Sequence, residues 1–515
     1  VRILYVDIDT LRADHTGPYG YQRRLTPNLD ELAKSSVVFE RVYASDSPCA
    51  PSRAAWSSGQ FGITSGAIGN FGPAADIHFF ERGRFGPLLG GHLYRHGIYT
   101  ASISCFPERH MAYWFIGNFR EWMKPSLSNG DDEDAKDVTA AALGWLDRHG
   151  REESWLLQVH YWDPHLPYLE SREFYRRAEL AGDPPDWPDQ QTIEDHAHVY
   201  GPHSALDLYE GDGSWAVPPP PAPNPELMPD AIRTREDFVS FVTGYDGAVA
   251  YVDHHLGMLL EKLAQLGIAE ETAIIFTSDH GECLGEHGIY GDHPLASESS
   301  HHVPLVIRWP GLTEGLPTHA RRVPAFLYGL DLGPTLCELL GIEIPEGWEG
   351  VSFAKALAGQ PIESRPWLVL SHGSYSYQRA LLTEGELFIS TLHPGCFRVE
   401  QHQLYDTSRD PHLTENLALV EPERAAELYA LLESFRQEHL TMRSPNPDPM
   451  EAARYEGPAD AFYVPAYLKR LRSTGREDLA DDLKARLSAP WVTAKRWPAS
   501  FGSPPSGTVS EGKGQ

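Results

Sequence analysis

Basic residues are scarce in this chain: 43 Lys and Arg stand against 72 Asp and Glu, a formal net charge of −29 over 515 residues. A surface of that sign repels polyphosphates and anionic headgroups, which excludes nucleic acid and a charged membrane face as partners. It also repels a small anionic substrate at long range, so such a substrate needs a local cluster of metal, Arg and His. Cysteine is equally sparse. Five residues, at 49, 105, 283, 337 and 396, are odd in number and scattered, which excludes a disulfide framework and a CxxC zinc site. No run of about 18 apolar residues occurs, and the stretch 1–8 is too short for a signal h-region or a membrane span. The expectation is a soluble chain with no membrane partner, the cytoplasm being favoured over a periplasmic or secreted location. A leader removed ahead of residue 1 would leave no trace, so the compartment stays open. There is no internal repeat.

What is present is ordinary globular material, 41% hydrophobic and 22% charged, so disorder is not the default. The length exceeds a single core and predicts one large domain with a smaller one appended. Residues 1–9, VRILYVDID, read as a buried parallel strand ending in acids. In an open α/β sheet the carboxyl ends of strands carry the ligands, which makes Asp9 the first candidate metal ligand. Asp7, two residues earlier on the same strand face, is either a second ligand or an acceptor behind the first. Thr26-Pro27 opens an amphipathic helix. Residues 37–43 read as a strand leading to Cys49-Ala-Pro-Ser-Arg53, and 54–59 are helix-like. Cys49 therefore sits near a helix N-terminus, where N–H groups and the dipole favour an anion.

The pattern of an apolar run ending in polar groups recurs. A strand at 98–104 precedes Arg109 and His110, candidate pocket residues. One at 154–160 ends in His160, with His165 following among aromatics and prolines that fix the turn. One at 272–278 ends at Asp279 and His280, further candidate ligands. The loop 285–294 is rich in Gly and His. Such loops bind zinc elsewhere, but with ligands already supplied by the strand ends His293 reads as a substrate contact. A long helix spans the stretch from 241, and a helix at 329–340 closes the alternating region. From about 365, short strands and a helix near 421–440 predict a small antiparallel sheet with a packed helix. The stretch 170–235, with its run Pro218–Pro221, reads as a long, partly polyproline insertion over the site. The expected organisation is a catalytic domain at 1–365 carrying that insertion, a C-terminal subdomain at 366–445, and a helical arm and tail at 446–515. The arm reaches over its own domain or a neighbouring subunit, the latter making a homo-oligomer.

Taken in order, the stretches Asp9 with Leu11-Arg-Ala-Asp-His, Thr26-Pro-Asn-Leu-Asp, Cys49-Ala-Pro-Ser-Arg, Asp163-Pro-His-Leu-Pro-Tyr, Ser278-Asp-His-Gly-Glu and Val303-Pro-Leu-Val-Ile-Arg-Trp-Pro-Gly resemble the type I sulfatases of the alkaline phosphatase superfamily, over roughly residues 1–420. The resemblance implies an α/β fold: a large mixed, mostly parallel sheet sandwiched by helices, plus a smaller C-terminal antiparallel sheet. It implies that a formylglycine-generating enzyme oxidises Cys49 to formylglycine, whose hydrate attacks the sulfur of a small sulfated substrate. A divalent cation, Ca2+ before Mn2+ or Mg2+, would be held by Asp9 and Asp279, with Asp7 and His280 as further candidates. Arg53 matches the motif arginine that stabilises nucleophile and metal. His165 matches the histidine facing the leaving-group oxygen, and His160 would assist as general acid or base. Trp162 and Tyr168 suit either stacking on a sugar ring or the core.

This chain departs from the family pattern at three places. Thr10 stands where members commonly carry a second Asp. Ser104-Cys-Phe-Pro replaces the usual Gly-Lys-Trp-His, with Arg109 and His110 as substitutes. His293 takes the place of the lysine ahead of the Val-Pro strand. The expectation is an anion pocket richer in His, with activity sensitive to pH near neutrality. Two alternatives to sulfate ester hydrolysis stay open: a phosphonate or phosphate ester hydrolase of the same superfamily, and a catalytically silent binding protein.

Overall fold

A computed structural model describes residues 1–70, 72–77, 86–126, 133–168, 172–208, 228–442, 448–453 and 464–488. In chain order the strands are β1 (Arg2–Ile8), β2 (Val37–Tyr43), β3 (Asp46–Ser47), β4 (Tyr99–Ile103), β5 (Glu121–Met123), β6 (Trp155–Tyr161), β7 (Thr272–Ser278), β8 (Cys283–Leu284), β9 (Tyr290–Asp292), β10 (His302–Arg308), β11 (Arg322–Tyr328), β12 (Leu368–Ser374), β13 (Ser376–Leu382), β14 (Glu386–His393) and β15 (His402–Asp406).

Continuous apolar runs such as Ile3–Val6 and Ala273–Phe276 are what strands covered on both faces require. Successive side chains of β1 accordingly go to different cores: Leu4, Val6 and Ile8 to one, Ile3 and Tyr5 to the other. Eight strands form the main sheet in the order β11-β2-β10-β7-β1-β6-β4-β5. β1 runs parallel to β6 and β7, and β10 is antiparallel to both its neighbours. The first core is closed by the helices Ala135–His149 and Arg235–Leu266, the second by Cys49–Ser58, Leu89–Arg95 and Leu332–Leu340. The 32-residue helix Arg235–Leu266 starts at a capping box between Thr234 and Asp237 and stops at Gly267, whose φ of +73° is left-handed. Truncating its fully buried Leu259 or Leu263 to Ala would cost about 2–5 kcal/mol.

Register positions the site. Asp7 lies opposite His160 on one side and Thr277 on the other, and Ile8 opposite Ser278. Beyond the strands the ladder continues by one step, Asp9 N–H donating to the Tyr161 carbonyl and Asp279 N–H to that of Ile8. The ends of three adjacent strands are thus level.

The second sheet has the order β15-β14-β13-β12-β3. Its core includes Leu428, Leu432 and Phe435 of the helix Pro422–Met442. Its edge strand β3 comes from residues 46–47 and pairs parallel with β12, so the small sheet is tied to the segment entering the Cys49 helix. A two-residue strand carries no periodicity, and the sequence gives no sign of this join. Within 170–235, read from the sequence as a long, partly polyproline insertion, the structure has the helices Arg172–Leu180 and Gln190–His196. Phe174, Ala178 and Ile193 bury themselves in the first core, which fixes helices that charge-rich composition disguised. The four-proline run Pro218–Pro221 lies outside the described residues. The arm helices Val464–Ser473 and Glu477–Ser488 lie over their own chain. Buried Asp207 accepts from Tyr467 Oη at 2.8 Å, Arg470 Nε at 2.7 Å and Arg476 Nη2 at 2.7 Å. Among the described residues no helix is long and apolar enough to cross a membrane.

Candidate active site

Cys49 is the first residue of the helix Cys49–Ser58 and is almost completely buried. Its thiol points at the level strand ends: Sγ is 3.2 Å from His280 Nε2 and 3.8 Å from Asp9 Oδ1. One ligand atom each from Asp9, Cys49, Asp279 and His280 falls within 4.8 Å of the others. One turn along the helix, Arg53 fixes the carboxylates from behind. Its Nη1 donates to Asp279 Oδ2 at 2.6 Å and Asp9 Oδ2 at 3.3 Å, and its Nε to Asp7 Oδ2 at 3.1 Å. The Phe106 ring covers the guanidinium carbon at 4.8 Å.

The residues present fit a divalent cation. Burial alone would raise the Asp9 carboxyl, but Arg53 and the hydrogen bond from His160 hold it well below the usual range. Asp279 is pushed well above that range by burial, which Arg53 opposes and the charges of Asp9 and Asp7 reinforce. Three buried acids against one arginine leave negative charge uncompensated, a condition a bound dication relieves. Two carboxylates with an imidazole offer oxygen and nitrogen donors that accommodate a divalent cation such as Ca2+, Mg2+ or Mn2+. Asp7 stands apart from this cluster. Its Oδ2 accepts from Arg53 and from Gln158 Nε2 at 3.0 Å, so the structure gives it the alternative of acceptor behind the ligands.

Burial and the neighbouring Asp9 and Asp279 push the Cys49 thiol up. An unmodified thiolate is therefore disfavoured as nucleophile at this position.

The histidines surround this centre. His160 presents Nε2 to Asp9 Oδ2 at 3.4 Å, while its Nδ1 meets Ser104 Oγ at 2.9 Å. His293 has a ring nitrogen within 4.8 Å of Cys49 Sγ and a nitrogen of His280, and the two imidazole centroids are 4.1 Å apart. His165 stacks on Trp162 at 3.7 Å and lies 5.7 Å from the His293 ring. Burial pushes His165 down to about 3 and His280 to about 4, and takes His293 well below its ordinary value. The rings are neutral at pH 7, so titration near neutrality, expected from composition, is displaced by desolvation. Arg109 places its guanidinium carbon 3.1 Å from the Trp162 ring centroid. His110 is buried with neither ring nitrogen hydrogen-bonded, and burial, then Arg109, lower its pKa. Trp162 and Tyr168 are 7% and 3% exposed. Their faces are spent inside the protein and are not open for stacking on a sugar.

Three site residues escaped sequence reasoning. Asn70 accepts from Ala50 N–H at 2.9 Å and turns Nδ2 toward Cys49 Sγ at 3.8 Å. Ser52, inside the cysteine motif, donates to the Asp279 carbonyl at 2.6 Å and so couples helix to strand end. Glu282, three residues beyond Asp279, bonds His293 Nδ1 at 3.2 Å. Asn70 follows no strand and carried no signal; Ser52 and Glu282 lay within stretches singled out for their neighbours.

The sulfatase family profile matches residues 2–342, and the profile described as N-sulphoglucosamine sulphohydrolase, C-terminal, matches residues 285–439. The chain is 28% identical to the choline-sulfatase of Rhizobium meliloti over 437 residues, covering 76% of this chain and 77% of that one. It is 26% identical to human iduronate 2-sulfatase over 401 residues, covering 67% and 70%. A protein solved in complex with its substrate D-glucosamine-2-N,6-O-disulfate superposes with a TM-score of 0.66 at 19% identity, covering 87% and 99%. The phosphonate monoester hydrolase of Agrobacterium radiobacter superposes with a TM-score of 0.65 at 20% identity, covering 86% and 97%. These two superpositions establish the shared fold. With the profile covering most of its length and the nucleophile motif at the head of a helix facing level strand ends, the chain belongs to the sulfatase family and, by that membership, is classed as a sulfuric ester hydrolase.

Proposed function

We propose that the protein hydrolyses a sulfate ester using a formylglycine derived from Cys49. The observation that carries this reading is the position of Cys49 Sγ, inside the four-residue cluster with Asp9, Asp279 and His280. In it, Sγ stands in for a hydroxyl oxygen on the same Cβ after oxidation and hydration. One hydroxyl of the hydrated aldehyde attacks sulfur as the sulfur–oxygen bond to the leaving alcohol breaks, and loss of the other hydroxyl's proton restores the aldehyde and expels sulfate. A divalent cation, Ca2+ in the first instance, held by Asp9, Asp279 and His280, would lower the hydroxyl pKa and polarise the sulfuryl oxygens.

The chain's own residues do the rest. Arg53 aims the carboxylates of Asp7, Asp9 and Asp279 and holds Asp9 ionised. His165 donates Nδ1–H to the Leu166 carbonyl at 2.5 Å, which in the neutral ring leaves Nε2 a lone pair, so it hands a proton to the leaving oxygen only after Nε2 has itself taken one up. His160, between Asp9 and Ser104, moves a proton at its Nε2. His293 and Arg109 with His110 surround the sulfuryl oxygens and exclude water. Domain limits at 1–365, 366–445 and 446–515 complete the reading, with the catalytic residues in the first. A sulfated carbohydrate is the proposed substrate class, supported by the disulfated glucosamine bound by a structural neighbour.

Mass spectrometry of the peptide containing residue 49, after co-expression with a formylglycine-generating enzyme, tests the first step; an unmodified cysteine in active protein contradicts it. The fold shared with a phosphonate monoester hydrolase favours one competing reading. Turnover of a nitrophenyl sulfate against a phenyl phosphonate monoester decides between them: preference for the sulfate is expected, and Cys49→Ala abolishes both activities. A panel of sulfated saccharides then reads the substrate.

A further inference from the structure

Beside the cluster that includes Cys49 lies a second set of ligating groups with no assigned partner. Glu282 follows β7 by four residues, Asp292 is the last residue of β9, and His293 comes directly after it. All three are at least 94% buried. His293 Nδ1 is 3.2 Å from Glu282 Oε1 and 3.6 Å from Asp292 Oδ1, and one ligand atom from each residue lies within 4.8 Å of the other two. Zinc bonds of about 2.0–2.1 Å at the tetrahedral angle place neighbouring ligand atoms about 3.3 Å apart. The two distances from His293 Nδ1 bracket that edge length.

An independent observation points to a missing cation. Glu282 Oε2 and Asp292 Oδ2 are both buried with no hydrogen-bond partner among the described residues. His203 Nε2 is 3.4 Å from Asp292 Oδ2, and Arg12 Nη1 donates to the backbone carbonyl of Glu282 and to the Glu286 carboxylate. Two buried carboxylates sharing one neutral imidazole are costly unless a charge of opposite sign sits among them.

We propose that Glu282, Asp292 and His293 form a second divalent-cation site, selective for an ion of the zinc class and open at a fourth position. Calcium takes six to eight oxygen ligands, whereas one imidazole and two carboxylates with a vacant place suit zinc. An ion there puts two positive charges one imidazole away from Cys49, in a pocket whose Arg53 is already matched to three acids. The inference is separable from the proposed sulfate chemistry, because it predicts a metal count and not a turnover.

Elemental analysis of the full chain, stripped by a chelator and saturated with Ca2+ and Zn2+, is the test. Two metal equivalents per chain are expected, falling to one in Glu282→Gln with zinc lost, and to one in Asp9→Asn with the other ion lost. A single equivalent in the wild type, or a zinc count unchanged in Glu282→Gln, overturns the proposal. If only Asp9→Asn lowers the count, the second site fails while the reading of the first stands; the reverse result has the opposite meaning. Should Glu282→Gln not fold, Co2+ in the wild type serves instead. A visible band of tetrahedral cobalt, lost in Asp292→Asn, is expected, and its absence from the wild type counts against the site.

Discussion

Arg53 Nη1 lies 2.6 Å from Asp279 Oδ2, and the same guanidinium also contacts Asp7 and Asp9. One buried cation therefore ties together acids from the ends of two neighbouring strands. Arg53→Ala leaves those acids without their partner and should lower the stability of the metal-free protein by about 3–5 kcal/mol, read from urea denaturation. Arg53→Lys should recover only part, because an ammonium cannot reproduce the planar fork. Equal stability in all three proteins would contradict the arrangement.

Asp7 and Asp9 are separated by one residue yet differ in their contacts: Asp9 lies in the cluster with Cys49, Asp279 and His280, and Asp7 accepts from Arg53 and Gln158. Asp9→Asn should weaken metal binding by at least about 10-fold, whereas Asp7→Asn should leave the stoichiometry intact and shift affinity less. Metal titration followed by calorimetry distinguishes them. Equal losses would return Asp7 to the ligand set.

Asn70 caps the helix segment next to the nucleophile and faces its side chain. Asn70→Ala should cost about 1 kcal/mol of stability through the lost bond to Ala50 N–H. Its effect on turnover should be larger, about 10- to 100-fold in kcat with KM little changed, if Nδ2 orients the reacting group. Steady-state kinetics beside thermal melts separate the two contributions.

Ser47 Oγ sits between two buried histidines, 3.1 Å from His301 Nε2 and 2.7 Å from His372 Nδ1. Burial pushes His301 down to about 4 and His372 to about 3. Between those values and the unfolded value near about 6.5, the unfolded chain binds protons that the folded chain refuses. The stability they contribute is whole above that unfolded value and is lost as pH falls toward 4 and below. Thermal melts from pH 7 to 4 should show a declining midpoint, and His372→Gln should flatten the slope. A slope unaffected by the substitution would place the acid sensitivity elsewhere.

Much of the fold was legible because parallel strands covered on both faces must be apolar throughout. The runs at 2–8, 155–161 and 272–278 announce themselves, as does the helix from 235 by its spacing. Cys49, Asp9, Asp279 and His280 were legible for a related reason: each sits where an apolar run stops, next to a turn. The edge strand at 46–47 was not legible, since two residues have no period. The helices at 172–180 and 190–196 were hidden by charged composition, and only their few core contacts define them.

By itself the sequence determined the order of the elements, the nucleophile motif and the polar groups at the strand ends, because these depend on local pattern. Only the tertiary structure decided how those groups divide their work. In-register parallel pairing, set by long-range hydrogen bonds, levels the strand ends. It thereby puts Asp9 and Asp279 beside Cys49, turns Asp7 toward Arg53, and spends Trp162 on Arg109 and His165. Depth of burial, which no residue carries in its identity, then decides that His165, His280 and His293 are neutral and that, among the described residues, Glu282 Oε2 and Asp292 Oδ2 find no hydrogen-bond donor.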